Sequence, residues 1–398
     1  RGPALASVSW SGPGVGVVVR PWRRCRGRRP HVEAKWAGFL FTAPNQSDMI
    51  LIYGAYGYTG ELIAREADER GLDFAVAGRD GTKTRGLGVE LDVDSRVFEA
   101  DETRGNLDGV DVVLNCAGPF VDTHGPIVEA CLETGTHYAD ITGELGVFEA
   151  LAERDREAEE AGVCLLPGAG FDVTPTDCLA GHLHERLPDA THLRVGFEAH
   201  TSVSGGTLAS AIEHAGGGGK TRRNGRIEDV PLAADSRTID FGAGPRNAIT
   251  VPWGDISTAY YTTGIPNIDV YMAVPPHLEP VVRASNYAAG LLEFDPLRSG
   301  LKTLARTFVD GPAERTRERE QVFVWGEAEN DEETVTSRLV TPETYALTVD
   351  AATSAAARLD DPDAPTGYHT PATAFDPNFV LDLDGVEGFL DEAFPELV

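Results

Sequence analysis

From residue 49 onward, short continuous apolar runs alternate with segments of helical period. The runs are MILIYG (49–54), DFAVAGRD (73–80), VDVVLNCA (110–117), HYADITGE (137–144) and VCLLPGAG (163–170). Such runs, bounded by turn residues, predict buried strands. Between them, Leu62, Ile63, Glu66 and Ala67 fit one helical face that stops at Gly71. Ile127, Val128, Ala130 and Cys131 form another, stopping at Gly135, and a third helix is predicted from Leu145 to Ala161. This βαβα alternation predicts an N-terminal Rossmann-type, doubly wound parallel sheet.

The second half reads differently. Residues 190–200, 266–274, 320–329 and 333–340 predict strands, several of them alternating, as in an antiparallel sheet with one solvated face. Residues 277–309 read as mostly helical, with a break at Phe294–Pro296. An alanine-rich helix follows the Thr341-Pro342 start and ends at Leu359. The fold class expected is therefore α/β, with a second α+β domain carrying the antiparallel sheet. The expected divisions are a leader (1–48), a dinucleotide domain (49–174), an α+β substrate domain (175–340) and a C-terminal helical segment (341–398) returning to the first.

Charge changes this picture in two ways. There are 34 Lys+Arg against 63 Asp+Glu, a net of -29, and only Lys35, Lys83, Lys220 and Lys302 are lysine. Such a surface repels phosphate backbones and anionic membranes, so no nucleic-acid partner is expected. An acidic, lysine-poor surface suits a protein hydrated in concentrated salt, and a halophilic source is expected. Residues 1–48 carry eight cations and two acids, a net of +6. With the first methionine at Met49, this leader reads as upstream sequence outside the folded protein. No run of about 18 apolar residues occurs, so no integral membrane segment is expected. Five cysteines without a CxxC pair form neither a disulfide framework nor a zinc site, and a reducing cytoplasm is expected.

The candidate chemistry begins where MILIY breaks into GAYGYTG. Gly54, Gly57 and Gly60 sit on a strand-to-helix turn, where glycines permit a tight turn, backbone access to a pyrophosphate and close helix–strand packing. About 20 residues on, an NAD site would place an acid at the end of the second strand. Here Gly78-Arg79 fills that corner, with Lys83 nearby. A guanidinium forks onto a 2′-phosphate, so NADP(H) is favoured over NAD(H), although Asp80 could serve as an NAD acid one position late. Asn115 to Pro119 fall at the carboxyl end of another strand, where open α/β sheets bind ligands. GGGGKT (216–221) mimics a phosphate loop, but His214 stands where its first glycine belongs and helix precedes it. A flexible loop with Lys220, Arg222 and Arg223 is expected there, able to attract a phosphorylated or CoA-like substrate.

Taken together, GAYGYTG, AGRD, NCAGPF, HYADITGE, GAGFDVTPTD and VSGGTLAS resemble the saccharopine dehydrogenase-like oxidoreductases, in particular the trans-acting enoyl reductase branch. Later phrases, STAYYTTGIPNIDVY, GPAERTRER and GYHTPATAF, extend the resemblance to the C-terminus. It implies an NADP(H)-dependent enzyme in which Gly54, Ala55, Tyr56, Gly57, Tyr58, Thr59, Gly60, Arg79, Lys83, Asn115, Cys116, Ala117, Gly118 and Pro119 hold the cofactor. One departure is FDVTPTD, where relatives more often have serine before the proline.

For catalysis, Tyr138 and Asp140 stand near the expected nicotinamide, with a core tyrosine an equal reading, and His124 and His137 are lesser candidates. Asp172 and Asp177 would orient substrate or cap the helix near Pro175. Ser204, Gly205, Gly206 and Thr207 would form a substrate wall. The substrate is expected to be a small molecule, lipid-like or polyketide-like, reduced at C=C or C=O, and association into a homodimer is left open. Two alternatives remain: an amino-acid dehydrogenase acting on a C–N bond, with Arg246 or Arg283 holding carboxylates, and a non-catalytic NADP(H)-sensing protein.

Overall fold

The computed structural model describes residues 49–199, 218–280, 282–284, 286 and 321–391. The leader and Ser204–Thr207 lie outside the described residues. Strands β1 (Ile50–Tyr53), β2 (Phe74–Gly78), β3 (Asp94–Val97), β4 (Val112–Asn115), β5 (His137–Asp140), β6 (Cys164–Leu166) and the late β15 (Gly367–Tyr368) form one parallel sheet. Its order is β15-β6-β5-β4-β1-β2-β3. The order in which strands are added reverses between β1 and β4, the switch point at which doubly wound sheets bind ligands.

The continuous apolar runs are explained by burial on both faces. Ile50 and Ile52 of β1 face one core with Ala64 and Ala67 of helix α1 (Tyr58–Arg70). Leu51 and Tyr53 face a second core with Ile127 and Val128 of α3 (Phe120–Thr134). Helix α2 (Gly81–Leu91) lies on the first face through Leu87. The helix expected at 145–161 is two helices, α4 (Leu145–Ala152) and α5 (Asp155–Ala161), broken at Glu153-Arg154. The break lets Val147, Leu151 and Ala158 all reach the second core.

After β6, α6 (Thr174–Arg186) leads into a nine-stranded sheet. Its main path runs β10 (Ser236–Asp240), β11 (Pro245–Thr250), β12 (Asn267–Ala273), β7 (His192–Ala199), β13 (Gln321–Glu329), β14 (Thr334–Pro342) and β16 (Glu387–Asp391). The pair β7–β12 is parallel and the other pairings are antiparallel. At Gly326 of β13 an added Cβ would come within 2.6 Å of Leu183, so the missing side chain lets α6 lie directly on the sheet. One hydrophobic core therefore runs from the parallel sheet through α6 to Val195, Val324 and Leu339 of the second sheet. Helix α8 (Thr344–Leu359) adds its alanine face, and Arg70 of α1 is tied to its Asp350 at 2.6 Å.

The loop expected around Lys220 is instead an ordered hairpin, β8 (Gly219–Arg223) with β9 (Arg226–Val230). Asn224 and Gly225 supply two successive positive φ angles, 49° and 76°, as a tight two-residue hairpin turn requires. Lys220, Arg222 and Arg223 are already occupied. Lys220 pairs with Asp229 and Arg223 with Asp269. Arg222 is buried, donates to Glu149 of α4 at 2.8 Å and stacks on Tyr260 of α7 (Asp255–Thr263). This joins the two sheets electrostatically. Because Arg222 also donates to Ile256 O and Gly225 O at 2.7 and 2.8 Å, Arg222→Ala leaves these acceptors unsatisfied and should lower unfolding free energy by about 3 kcal/mol, measured by urea denaturation. A loss below about 1 kcal/mol would mean that the pair acts as an ordinary surface bridge.

Candidate functional site

The site is built at the carboxyl edge of the parallel sheet, around the β1–α1 turn. Gly54 has φ 82°, and a Cβ there would come within 2.8 Å of the backbone nitrogen and Cβ of Ala117. Only glycine satisfies both conditions. At Gly60 a Cβ would lie 2.4 Å from the Gly54 carbonyl oxygen, so α1 starts directly against the turn. Gly57 differs from both: its Cβ would meet only Gly54 O, at 3.2 Å. That face is open, and Gly57 caps α1 without a side chain to satisfy the first N–H groups. The turn thus offers bare backbone donors and the positive end of a helix dipole to an anion. Ala55 is buried under the turn, and Tyr58 is half exposed with its ring edge-to-face on Tyr345.

The second-strand corner carries the next feature. Asp80 accepts hydrogen bonds from Thr82 N and Lys83 N at 3.0 and 3.1 Å, capping α2. Its Oδ1 is thereby engaged at the start of the helix. Arg79 is exposed, and among the described residues its guanidinium has no hydrogen bond or ion pair. This is unusual in a protein where Arg65, Arg70, Arg154, Arg186, Arg194 and Arg237 are each held by acids. Lys83 stands 5.6 Å from the Tyr56 ring, which lies so close on Gly78 that a Cβ there would approach it to 2.5 Å. Tyr56, Arg79 and Lys83 therefore bound one corner beside the glycine turn.

Across the switch point, the chain leaving β4 is fixed by a buried polar relay. Tyr138 donates to Asp140 at 2.7 Å, and Asn115 Nδ2 donates to the Tyr138 hydroxyl at 3.3 Å. Asn115 Oδ1 accepts Ala117 N at 3.0 Å, and the Thr123 hydroxyl donates to Ala117 O at 2.7 Å. Ala117 is held at both ends of its peptide, directly over Gly54. Asp140 also accepts Thr142 N and Gly168 N, both at 2.9 Å, which anchors the turns after β5 and β6. Burial pushes Asp140 up to about 6, against the opposing pull of these backbone donors. Burial, then the charge of Asp140, raises Tyr138 well above its ordinary range, and the same two causes push the Cys116 thiol up, so it is inert as a nucleophile.

The catalytic expectation for Tyr138 and Asp140 meets a geometric obstacle. Both are fully buried, with Tyr138 packed in the core under α3, so neither presents an atom to a substrate. Their position is that of a strut beneath the site. His137 is also structural: its Nδ1 accepts Cys164 N at 2.9 Å, and burial lowers its basicity. His124 Nδ1 bonds Phe120 O at 2.7 Å. Asp177 does not cap α6, whose cap is Val173; it accepts from Thr262 and from Ala372 N and fastens α6 to helix α9 (Pro371–Phe375). Arg246 is paired with Glu198, and Arg283 with Glu279.

Three contributors were not singled out by sequence reasoning. Glu144 accepts Phe120 N and Val121 N at 2.9 and 2.8 Å, closing the start of α3 beside Gly118 and Pro119. Thr123 grips Ala117, and Trp253 Nε1 donates to Asp172 O at 2.8 Å, so the second sheet's layer fixes the loop after β6. Only the ITGE-to-GPF juxtaposition, visible once β4 and β5 are neighbours, could have signalled Glu144.

These features define a dinucleotide-binding crevice. Residues 50–166 match the family described as saccharopine dehydrogenase NADP binding domain. Over 182 residues the chain is 30% identical to the trans-acting enoyl reductase of Mycobacterium tuberculosis, covering 41% of this chain and 44% of that protein. It is 29% identical over 174 residues to a lipid droplet localized protein of Caenorhabditis elegans, covering 39% and 41%. The chain thus matches less than half the length of these relatives. Apo histidine-tagged saccharopine dehydrogenase (L-Glu forming) from Saccharomyces cerevisiae shares the fold, with TM-score 0.59 and 14% identity over 87% of this chain and all of that one.

If the relay is structural, Tyr138→Phe should lower unfolding free energy by about 1–2 kcal/mol through stranded polar partners and weaken cofactor binding only a few-fold. Loss of about 100-fold in NADPH oxidation with stability and binding intact would instead make Tyr138 a proton donor.

Proposed function

We propose that this chain is an NADP(H)-dependent oxidoreductase that reduces a C=C or C=O bond of a lipid-like or polyketide-like small molecule. The observation that carries the cofactor reading is Arg79, unpaired among the described residues, beside Lys83, in a chain whose other arginines are so often held by acids. A cation left exposed amid such an excess of acids marks a place for an incoming anion. Its distance along the sequence from the glycine turn suits the 2′-phosphate of NADP(H). The open face at Gly57 and the uncapped start of α1 suit the pyrophosphate, and the fixed Asn115–Pro119 turn forms the wall opposite. Bound there, NADP(H) supplies or accepts a hydride.

For the substrate, the enoyl reductase name of the relatives supports a conjugated acyl or polyketide chain. The apolar rim agrees with it: Tyr58 and Val121 are exposed at the crevice and Trp253 is half-buried behind it. An amino-acid dehydrogenase would need free cations for its substrate's carboxylates. Arg246 and Arg283, its two candidates, are spent on Glu198 and Glu279, so that reading lacks support.

Fluorescence titration with NADPH and NADH tests the cofactor assignment. The unaltered chain should bind NADPH much more tightly, and Arg79→Ala should weaken NADPH by about 30-fold, the worth of a charged fork, while leaving NADH unchanged. Equal binding of both nucleotides, insensitive to Arg79→Ala, would overturn it.

A further inference from the structure

The crevice needs a group that can give up a proton, and the residues nearest the strand ends are committed elsewhere. Asp140 and Tyr138 are sealed in the relay, Glu144 caps α3, and Asp177 fastens α6. We propose that Asp172 is the proton donor of this site, an assignment that rests on the reductase reading above.

Four observations carry it. Asp172 lies in the turn after β6, at the same carboxyl edge as Gly54 and Ala117. It is half-buried, and among the described residues its carboxyl group makes no hydrogen bond or ion pair. Space has been left for it: a Cβ on Gly143, in the turn after β5, would meet Asp172 Oδ2 at 2.6 Å. Its backbone is held from two other elements, by Trp253 Nε1 at 2.8 Å and by the Thr348 hydroxyl of α8 on Phe171 N at 3.1 Å. The carboxyl is therefore positioned by the fold while its own oxygens stay available.

The electrostatics agree. Burial pushes Asp172 up to about 6, and no neighbouring charge is needed to do it. The acids behind it are Asp177 on α6 and Asp255 at the start of α7. Asp255 is fully buried, burial pushes it well above the usual carboxylate range, and the charges of Asp177 and Asp172 add to that effect. The Thr176 hydroxyl near Asp255 donates to Val173 O, and among the described residues neither Asp255 oxygen has a hydrogen-bond partner within normal geometry. His124, the one cationic candidate on the facing helix α3, bears on Asp140. Nothing in this surrounding stabilises a carboxylate at Asp172, so near neutrality it retains a proton on an appreciable fraction of molecules, as a general acid requires.

The step is the second half of a conjugate reduction. After the β-carbon of an enoyl group has received a hydride from a reduced nicotinamide, an electron pair resides on the α-carbon and carbonyl oxygen. The Asp172 O–H bond breaks, a C–H bond forms at the α-carbon, and the O–H pair stays on Asp172 as a carboxylate. Water then returns the proton to Asp172, completing the balance.

Two measurements on the full chain test this. Difference infrared spectra of the unaltered chain minus Asp172→Asn should show one protonated carboxyl band that disappears as pH rises through about 6. In NADPH oxidation with a trans-2-enoyl thioester of N-acetylcysteamine, Asp172→Asn should lower kcat by about 100-fold or more without changing NADPH affinity. A carboxyl already ionised well below that pH, or a mutant rate within about three-fold of the unaltered chain, overturns the assignment. Failure of the unaltered chain to oxidise NADPH with any enoyl probe would instead sink the reductase reading itself. Retained NADPH binding in Asp172→Asn separates these cases from misfolding.

Discussion

The contact between the backbones of Gly54 and Ala117 sets the geometry of the whole carboxyl edge. These two turns, after β1 and β4, approach so closely that a single methyl group on Gly54 would collide with the Ala117 peptide. Close approach alone would not fix them, because loops at a sheet edge are free to drift. What fixes them lies underneath. Asp140, Tyr138 and Asn115 form a buried chain that ends on Ala117, and Thr123 holds the same peptide from its other side. A fully satisfied buried network of this kind is costly to disturb and so specifies one arrangement.

Through this contact, fold and chemistry become the same problem. The parallel sheet needs both faces covered, and its burial pattern draws α1, α2 and α8 to one side and α3, α4 and α5 to the other. The starts of α1 and α3 are thereby brought to the crevice. One is left uncapped and open to an anion, while the other is closed by Glu144. The second sheet is not an independent neighbour. It shares the first core through α6, is bound to α4 by Arg222 and Glu149, and positions Asp172 through Trp253. The crevice floor and its far wall are therefore parts of one packed body.

Much of the parallel half was legible in the sequence because its signals are local. A strand buried on both faces reads as a continuous apolar run, and the glycines of GAYGYTG announce their turn by spacing. The second half was less legible. The β8–β9 hairpin has polar residues along both strands and was obscured by the likeness of GGGGKT to a phosphate loop, although Asn224-Gly225 is a strong hairpin signal. Arg222 read as a loop cation because its burial depends on Glu149 and Tyr260, distant in sequence. Tyr138 and Asp140 were placed near the cofactor by strand position, but which way a strand residue faces decides its role. Tyr138 faces the α3 core, and no linear pattern distinguishes that from the crevice. Asp80, read as a candidate ligand, also caps α2 through its Oδ1.

The central claim is that an exposed cationic corner beside the glycine turn receives the 2′-phosphate of the cofactor. It is tested most directly by phosphorus NMR of bound NADP⁺ as pH is varied across about 5 to 8, where a free phosphate monoester loses its second proton. Contact with Arg79 and Lys83 should hold the bound 2′-phosphate as a dianion through that range, shifting its titration well to the acid side. A bound 2′-phosphate that titrates as it does in the free cofactor would contradict the account.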